Sequence, residues 1–259
     1  MLKGEYMNRI SVVLAVFNEE ENLGDCLDSV KELADEIVIV DGGSNDKTLE
    51  IAKYYGAKII KTDNPPIFHI NKNKAIDTAT GEWVLQLDAD ERVSSELSKE
   101  IKNAIIRNSE INGYWIPRSN YFLGRFLKKG GQYPDYTMRL YKKGKGRLPA
   151  KDVHEQAEVE GKTGYLKNDL LHFRDKSFKK YLSGLDRYTS IMALHMKKDN
   201  LGKGALNFLN YILIKSVWWF LKTYIRHKGF VDGFPGFIFA FFSSLRFPMA
   251  YIKYLGGKE

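Results

Sequence analysis

The chain has 259 residues and is 44% hydrophobic, enough for one large packed domain or a domain with an appendage, which excludes a wholly disordered protein. Its one cysteine, Cys26, excludes an intrachain disulfide and favours a reducing compartment. The net charge of +8 is unevenly placed: residues 201–259 hold eight Lys or Arg against two acids, and 15 of the 34 aromatic residues. A basic, aromatic-rich end on a nearly neutral body points to an anionic partner, membrane lipid or nucleic acid.

The opening residues contain too short an apolar run for a secretory signal and read as the lead-in to a buried strand. That strand is ISVVLAVF (10–17), a continuous β-branched apolar run. Leu23, Leu27, Val30 and Leu33 then recur at helical spacing, with Cys26 among them as a small core residue. EIVIVD (36–41) is a second strand, and SNDKTLEIAKYYG is a capped helix ending at Gly56. AKIIKT (57–62) predicts a third strand, a helix follows over 69–79, and EWVLQLD (82–88) is a fourth strand. This alternation predicts a parallel sheet with helices on both faces, and such sheets bind ligands beyond the carboxyl ends of their strands. From Gly113 the pattern changes to β segments joined by Gly- and Lys-rich turns, and 178–199 returns to helical periodicity. Residues 203–255 read as two more helices, broken at HKGFVDGFPG.

Polar clusters fall at three of the predicted strand ends. Asn18 and Glu19 follow the first strand, Asp41 ends the second, and Asp88 and Asp90 end the fourth. Each alone reads equally as a turn or a helix cap, but one parallel sheet would bring them to a single crevice. In DGGSNDKT the glycines allow close backbone approach, and Ser44 or Asn45 can cap the next helix. The spacing is not that of a P-loop. Asp88-Ala89-Asp90 crowds two carboxylates at a strand end, where a hard divalent cation with water and phosphate ligands would neutralise them. Glu91 reads as part of the following turn, behind the metal.

SVVLAVFNEEENL, IVIVDGGSNDKT, NKAIDTATGEWVLQLDADE and VHE together resemble the family 2 glycosyltransferases of GT-A fold, over about residues 9–175. The later YIRHKGFVDGFPGF resembles a subgroup that includes the lipopolysaccharide core β-glucosyltransferases. The resemblance implies a Rossmann-like α/β catalytic domain over 1–175 and a helical C-terminal extension over 176–259. It implies an inverting transfer from a nucleotide sugar, a UDP-hexose, to a glycan or lipid-linked acceptor of the cell envelope, with Mg²⁺ or Mn²⁺. By the same resemblance Asn18 and Glu19 line the nucleotide, Asp41 meets the uracil, and Asn73 and Lys74 face the diphosphate. Asp90 is the direct metal ligand, with Asp88 beside it and closer to the ribose. Glu155 stands at the position of the catalytic base, although His154-Glu155 replaces the Glu-Asp of many relatives.

Charge development supports these roles without the family. A leaving diphosphate becomes more negative, which a divalent ion offsets, and an acceptor hydroxyl needs a carboxylate to take its proton. His172 in LLHF reads as a third metal or diphosphate ligand, or as a core histidine; His154 as a residue that orients Glu155, or packs. Arg139 reads as a contact to donor phosphates or acceptor, or as a surface arginine. In the tail Lys215, Lys222 and Arg246 interrupt the apolar runs, so amphipathic helices lying on the inner face of the cytoplasmic membrane fit better than a span. Anionic lipid would attract Lys203, Lys215, Lys222, Arg226 and Lys228; a helical subdomain or an oligomer contact would also bury these aromatics. A nucleotidyltransferase shares the sheet and the metal logic, but FNEEEN is acidic where its phosphate loop would lie. A non-catalytic membrane or nucleic-acid binder leaves the strand-end carboxylates unexplained.

Overall fold

The computed structural model describes residues 8–107, 110–149, 156–175 and 177–257. β1 (Ile10–Val16), β2 (Glu36–Asp41), β3 (Lys58–Lys61) and β4 (Trp83–Gln86) are parallel, in the order β3-β2-β1-β4, as the βα alternation predicts. β1 shows why its run is unbroken by polar residues. Val12, Leu14 and Val16 enter one core with Leu23, Cys26 and Leu27 of α1 (Leu23–Val30), while Val13 enters the other. A strand with both faces covered has no solvent side to make polar.

α2 (Thr48–Tyr54) follows β2, and Gly56 then takes a φ of +67°, a conformation open to glycine. α3 (His69–Thr78) follows β3 and places Ala75 and Ile76 on the second core. The fourth strand is shorter than expected. After Gln86 the chain turns, and β5 (Glu91–Val93) leads into α4 (Ser95–Arg107), whose Leu97, Ile101 and Ile105 close the first core.

The β-rich segment forms β6 (Ile111–Phe122), β7 (Arg125–Phe126), β8 (Asp135–Lys142), β9 (Gly146–Arg147), β10 (Glu158–Val159), β11 (Lys162–Tyr165) and β12 (Leu170–Asp175). β8 runs antiparallel to β4, and the sheet continues β8-β6-β12-β5, so the Asp88 turn is enclosed between β4 and β5 by strands returning late in the sequence. The result is a largely parallel sheet flanked by helices.

The chain forms two compact units, Met1–Arg118 with Asp135–His172, and Ser119–Pro134 with Phe173–Glu259. This departs from the expected division at 175 in giving 119–134 to the helical unit. The cause is Asp232, buried to 1%, whose carboxylate accepts the backbone N–H groups of Lys128 and Lys129, with Arg125 3.7 Å away. The helical unit contains α5 (Phe178–Lys198), then a continuous helical run over 205–226. That run is α6 (Ala205–Leu209), a π turn, α7 (Lys215–Leu221) and a second π turn. It breaks at 227–232, as predicted, and α8 (Gly233–Gly256) follows. Residues 229–256 contain an 18-residue window of mean hydropathy 1.2 and are long and apolar enough to cross a membrane, although Arg246 lies within them.

Gly236 marks the tightest approach in this unit. A Cβ there would stand 2.0 Å from the Gly229 carbonyl oxygen and 2.8 Å from the Asp232 Cβ. Gly236→Ala is therefore expected to cost about 1–3 kcal/mol by overpacking. Gly256→Ala, with nothing within 4 Å, is the control. Urea midpoints of the two variants check this, and equal midpoints would refute it.

Candidate active site

Sheet register gathers the strand-end residues. Gln86 is paired with Val13, and Asp41 with Val16, so the chain leaves β1, β2 and β4 at one edge. Loops 18–20 and 44–48 are stitched together there. Asn18, at a φ of +53°, accepts from the Asn45 N–H at 2.9 Å, and its own N–H donates to Ser44 Oγ. The Glu19 N–H donates to Thr48 Oγ1, and Glu20 accepts from the Lys47 N–H. Asp41 is buried and accepts the N–H groups of Gly43 and Ser44, so the turn is capped by Asp41. Ser44 and Asn45 do not cap α2, which starts at Thr48, whose N–H donates to Asp46.

The turn after β4 is held from several sides. The Asp88 N–H donates to Glu91 Oε2 and the Glu91 N–H to the Asp88 carbonyl, closing the turn from both sides. Arg92 donates to the carbonyls of Ala89 and Glu91, and Cys26 lies beneath with its Sγ 3.6 Å from the Asp88 carbonyl. Burial pushes the Cys26 thiol up, so it stays a thiol in the core.

Both carboxylate oxygens of Asp88 are taken by cations. Lys72 of α3 pairs with Oδ1, and Arg139 of β8 with Oδ2 at 2.5 Å. Arg139 also reaches Glu91 at 2.8 Å and Gln86 at 2.9 Å. Arg118 lies 3.5 Å from Glu91 and binds Asp135 at 2.7 Å. The result is an alternating line of charge, Lys72, Asp88, Arg139, Glu91, Arg118, Asp135, with Glu91 fully buried. Burial opposes charge on Asp88, but Arg139 and Lys72 overcome it and hold the carboxyl far below the usual carboxylate range. Burial lowers the Lys72 ammonium against the pull of Asp88. Arg139 is held above its ordinary value despite burial, by Asp88 and Glu91.

Asp90 faces elsewhere. β12 pairs with β5 so that His172 stands opposite Glu91, which brings His172 Nε2 to 3.5 Å from Asp90 Oδ2. Burial raises the Asp90 carboxyl, but the hydrogen bond and charge of His172 leave it below the ordinary value. Among the described residues no three His, Cys, Asp or Glu side chains converge as a metal cage. A hard divalent ion does not need one, because it keeps waters and substrate phosphates as ligands. Asp90 and His172 fit as an open donor pair; Asp88, with both oxygens engaged, fits less well.

The expected residues thus separate. Asp88, Asp90, His172 and Arg139 meet at one turn, and Arg139 is buried instead of lying on the surface. Asn73 is turned to Leu148, donating to its carbonyl at 2.9 Å and accepting its N–H at 3.2 Å, so its amide is committed to the backbone. Lys74 is exposed and donates to Thr62 Oγ1. On α3 it is Lys72 that reaches Asp88, a residue the sequence reading passed over. The signal was its phase: residues 72 and 76 share a helix face, and Ile76 is core. Glu155 and His154 lie outside the described residues. The flanks of that segment are anchored, Leu148 by Asn73 and Gln156 by Thr137 and Met138 on β8.

Lys72→Met is expected to leave Asp88 half-compensated and to cost about 3 kcal/mol, while Lys74→Ala stays within about 0.5 kcal/mol. Denaturant melts of the two variants decide it; equal loss would contradict the placement of Lys72.

A parallel sheet of this order, flanked by helices and carrying an acidic turn beyond its fourth strand, is the α/β architecture of GT-A type. The sequence matches glycosyl transferase family 2 over residues 11–159, and the chain belongs to that family. It is 30% identical to an uncharacterized glycosyltransferase of Rickettsia typhi over 257 residues, 93% of this chain and 86% of that protein. It is 28% identical to the lipopolysaccharide core biosynthesis glycosyltransferase LpsC of Rhizobium meliloti, over 92% of this chain and 91% of that one. A mannosyltransferase of Pyrobaculum calidifontis, solved with GDP-Man and Mn²⁺, superimposes with a TM-score of 0.57 at 14% identity, covering 98% of this chain and 89% of that one. That likeness shows the fold. The chain is therefore a glycosyltransferase, and the nucleotidyltransferase and non-catalytic readings are set aside.

Proposed function

We propose that this glycosyltransferase moves a hexose from a UDP-sugar, with inversion, to a glycan or lipid-linked acceptor of the cell envelope. It works at the inner face of the cytoplasmic membrane. The observation that carries the site assignment is the division within Asp-Ala-Asp: Lys72 and Arg139 hold Asp88, while Asp90 stands with His172. The similarity to a lipopolysaccharide core glycosyltransferase along nearly its whole length supports an envelope acceptor.

Each residue then has a task. Asn18, Glu19 and Asp41 border the nucleoside at the stitched β1 and β2 loops. Asp88, fixed in direction by its two cations, faces the ribose. Asp90 and His172 would hold Mg²⁺ or Mn²⁺, which when bound offsets the charge developing on the leaving diphosphate. Arg139 places positive charge at the same turn. Glu155 takes the acceptor proton, and a single displacement with one base inverts the anomeric centre. Asn73 secures Leu148 at the near end of the segment that carries Glu155. Lys74 has no assigned contact to the donor.

The test is a panel of UDP- and GDP-sugars with Mg²⁺ or Mn²⁺, read by thermal shift and nucleotide release. A bound donor raises the melting temperature by mass action. The expected result is stabilisation and slow release with a UDP-hexose. A response confined to GDP-sugars would overturn the donor assignment, and no response to any sugar would overturn the site.

A further inference from the structure

Apart from a small apolar cluster around Met196, Ala250 and Tyr251, the helical unit is built inside out. Along 205–226, Leu206, Leu209, Leu213, Val217, Leu221 and Ile225 recur every three or four residues, and each is between 47% and 86% exposed. The opposite face is the one that packs, and it carries hydroxyls. Ser216 Oγ donates to the Ser244 carbonyl, Trp219 Nε1 lies 3.3 Å from Ser243 Oγ, and Thr223 is 3% exposed. α8 repeats the pattern. Gly236, Ala240 and Ser244, four residues apart, are buried, while Phe234, Phe237 and Phe241 face out.

A helix folded in water turns its apolar stripe to the core. These helices turn it away, and a continuous exposed apolar face of this size marks a partner. Small and hydroxyl side chains inside with large apolar ones outside is the packing of helices whose surroundings are as apolar as leucine.

Charge selects the partner. No Asp or Glu occurs from 201 to 231, whereas Lys203, Lys215, Lys222, Arg226 and Lys228 do. Lys215 Nζ stands 3.7 Å from the Tyr211 ring centroid, and Lys222 4.8 Å from that of Trp218. Cations beside aromatic rings suit the headgroup level of a bilayer, where the amphipathic rings also settle. Lys215 is midway along the run, so a crossing would place its charge at the bilayer centre, which is costly.

We propose that the 205–226 run and the first turns of α8 form a docking face for an anionic lipid bilayer. The face lies in the interface plane, with Leu213, Val217, Trp218 and Leu221 below the headgroups and the lysines among them. This deepens the membrane-surface part of the proposed function, yet it requires neither a particular donor nor a metal.

The test mixes the full chain with phosphatidylglycerol-rich vesicles, with pure phosphatidylcholine vesicles, and with phosphatidylglycerol in high salt. The expected result is co-sedimentation with the anionic vesicles and at least tenfold weaker binding in the other two. Brominated acyl chains should quench Trp218. The L213D/L221D variant changes two exposed positions, so it keeps its circular dichroism and its nucleotide release in solution while losing vesicle binding at least tenfold. Equal binding of variant and parent would overturn the proposal. So would a dimer, seen by sedimentation equilibrium, that the variant dissolves and that ignores vesicles. Resistance to alkaline carbonate extraction would replace docking by a span. Vesicle binding without turnover of any nucleotide sugar would leave this face standing and sink the sugar-transfer reading alone.

Discussion

Arg139→Leu is expected to destabilise the protein by about 3–5 kcal/mol, the largest effect of any single substitution considered for this chain. Arg139 is the only cation shared by Asp88 and Glu91 among the described residues, and it is 7% exposed beside a fully buried Glu91. Removing it leaves Asp88 with Lys72 alone and the fully buried Glu91 with Arg118 3.5 Å away as its remaining cation. Against a typical total of about 5–15 kcal/mol, the loss is a third or more of the stability. Adding Glu91→Gln to Arg139→Leu removes one stranded charge and should recover part of the loss, a coupling that a double-mutant cycle measures. Additive losses would mean that the two side chains do not interact. The same network sets the acid limit. Asp88 and Asp90 are both more acidic in the fold than in the unfolded chain, so on acidification the unfolded chain takes up protons first. The stability they supply is present above the ordinary Asp value of 3.8 and is lost as pH falls below it. Unfolding midpoints between neutral pH and pH 3 should show this decline, steeper in the parent than in Asp88→Asn.

Asp90→Asn is expected to lower the rate of sugar transfer by about 10²–10³-fold while leaving the fold intact. The side chain is 23% exposed and its described neighbour is one histidine at 3.5 Å, so the substitution leaves the Lys72–Asp88–Arg139 line untouched. An amide is a weak ligand for a hard cation, and the loss should fall on turnover with a smaller change in binding of the nucleoside. His172→Ala should move turnover in the same direction by less, because it removes one of the two donors and leaves the Asp90 carboxylate in place. Asp88→Asn should differ in kind, lowering stability as well as rate, since it strands Lys72 and Arg139. Kinetics and urea melts on the three variants separate these patterns. An Asp90→Asn enzyme that lost stability but kept its rate would reverse the division between the two aspartates.

Much of the first half was legible because a doubly covered parallel strand leaves an unmistakable record. ISVVLAVF and EIVIVD have no polar face, and the βα rhythm then requires that residues 18, 41 and 88 share an edge. Asp90 and His172 were separately suspect, but their meeting depends on β12 pairing antiparallel with β5, a contact across some eighty residues that no local pattern encodes. The charge line was less legible still. Arg139 on a strand reads the same whether it points to water or into the core, and Lys72 was hidden behind the more familiar-looking Asn73 and Lys74. Asn73 was given a ligand where it has a structural duty at Leu148. α4 and β5 went unread because the turn after Gln86 breaks one apolar segment into two elements. In the tail a break was visible in HKGFVDGFPG, but only 227–232 of it leaves the helix, because Gly233, Pro235 and Gly236 enter the first turn of α8. Which face of each helix turns outward is a tertiary fact.

Nucleotide-sugar turnover is proposed to run at the Asp90–His172 pair with a divalent ion. Its most direct test is nucleotide release from a UDP-hexose by the purified full chain, first with Mn²⁺, then after chelation, then with Mn²⁺ restored. The account predicts release that vanishes on chelation and returns with the ion in the parent enzyme, and that stays near background throughout in Asp90→Asn. Undiminished release in the presence of the chelator would contradict it.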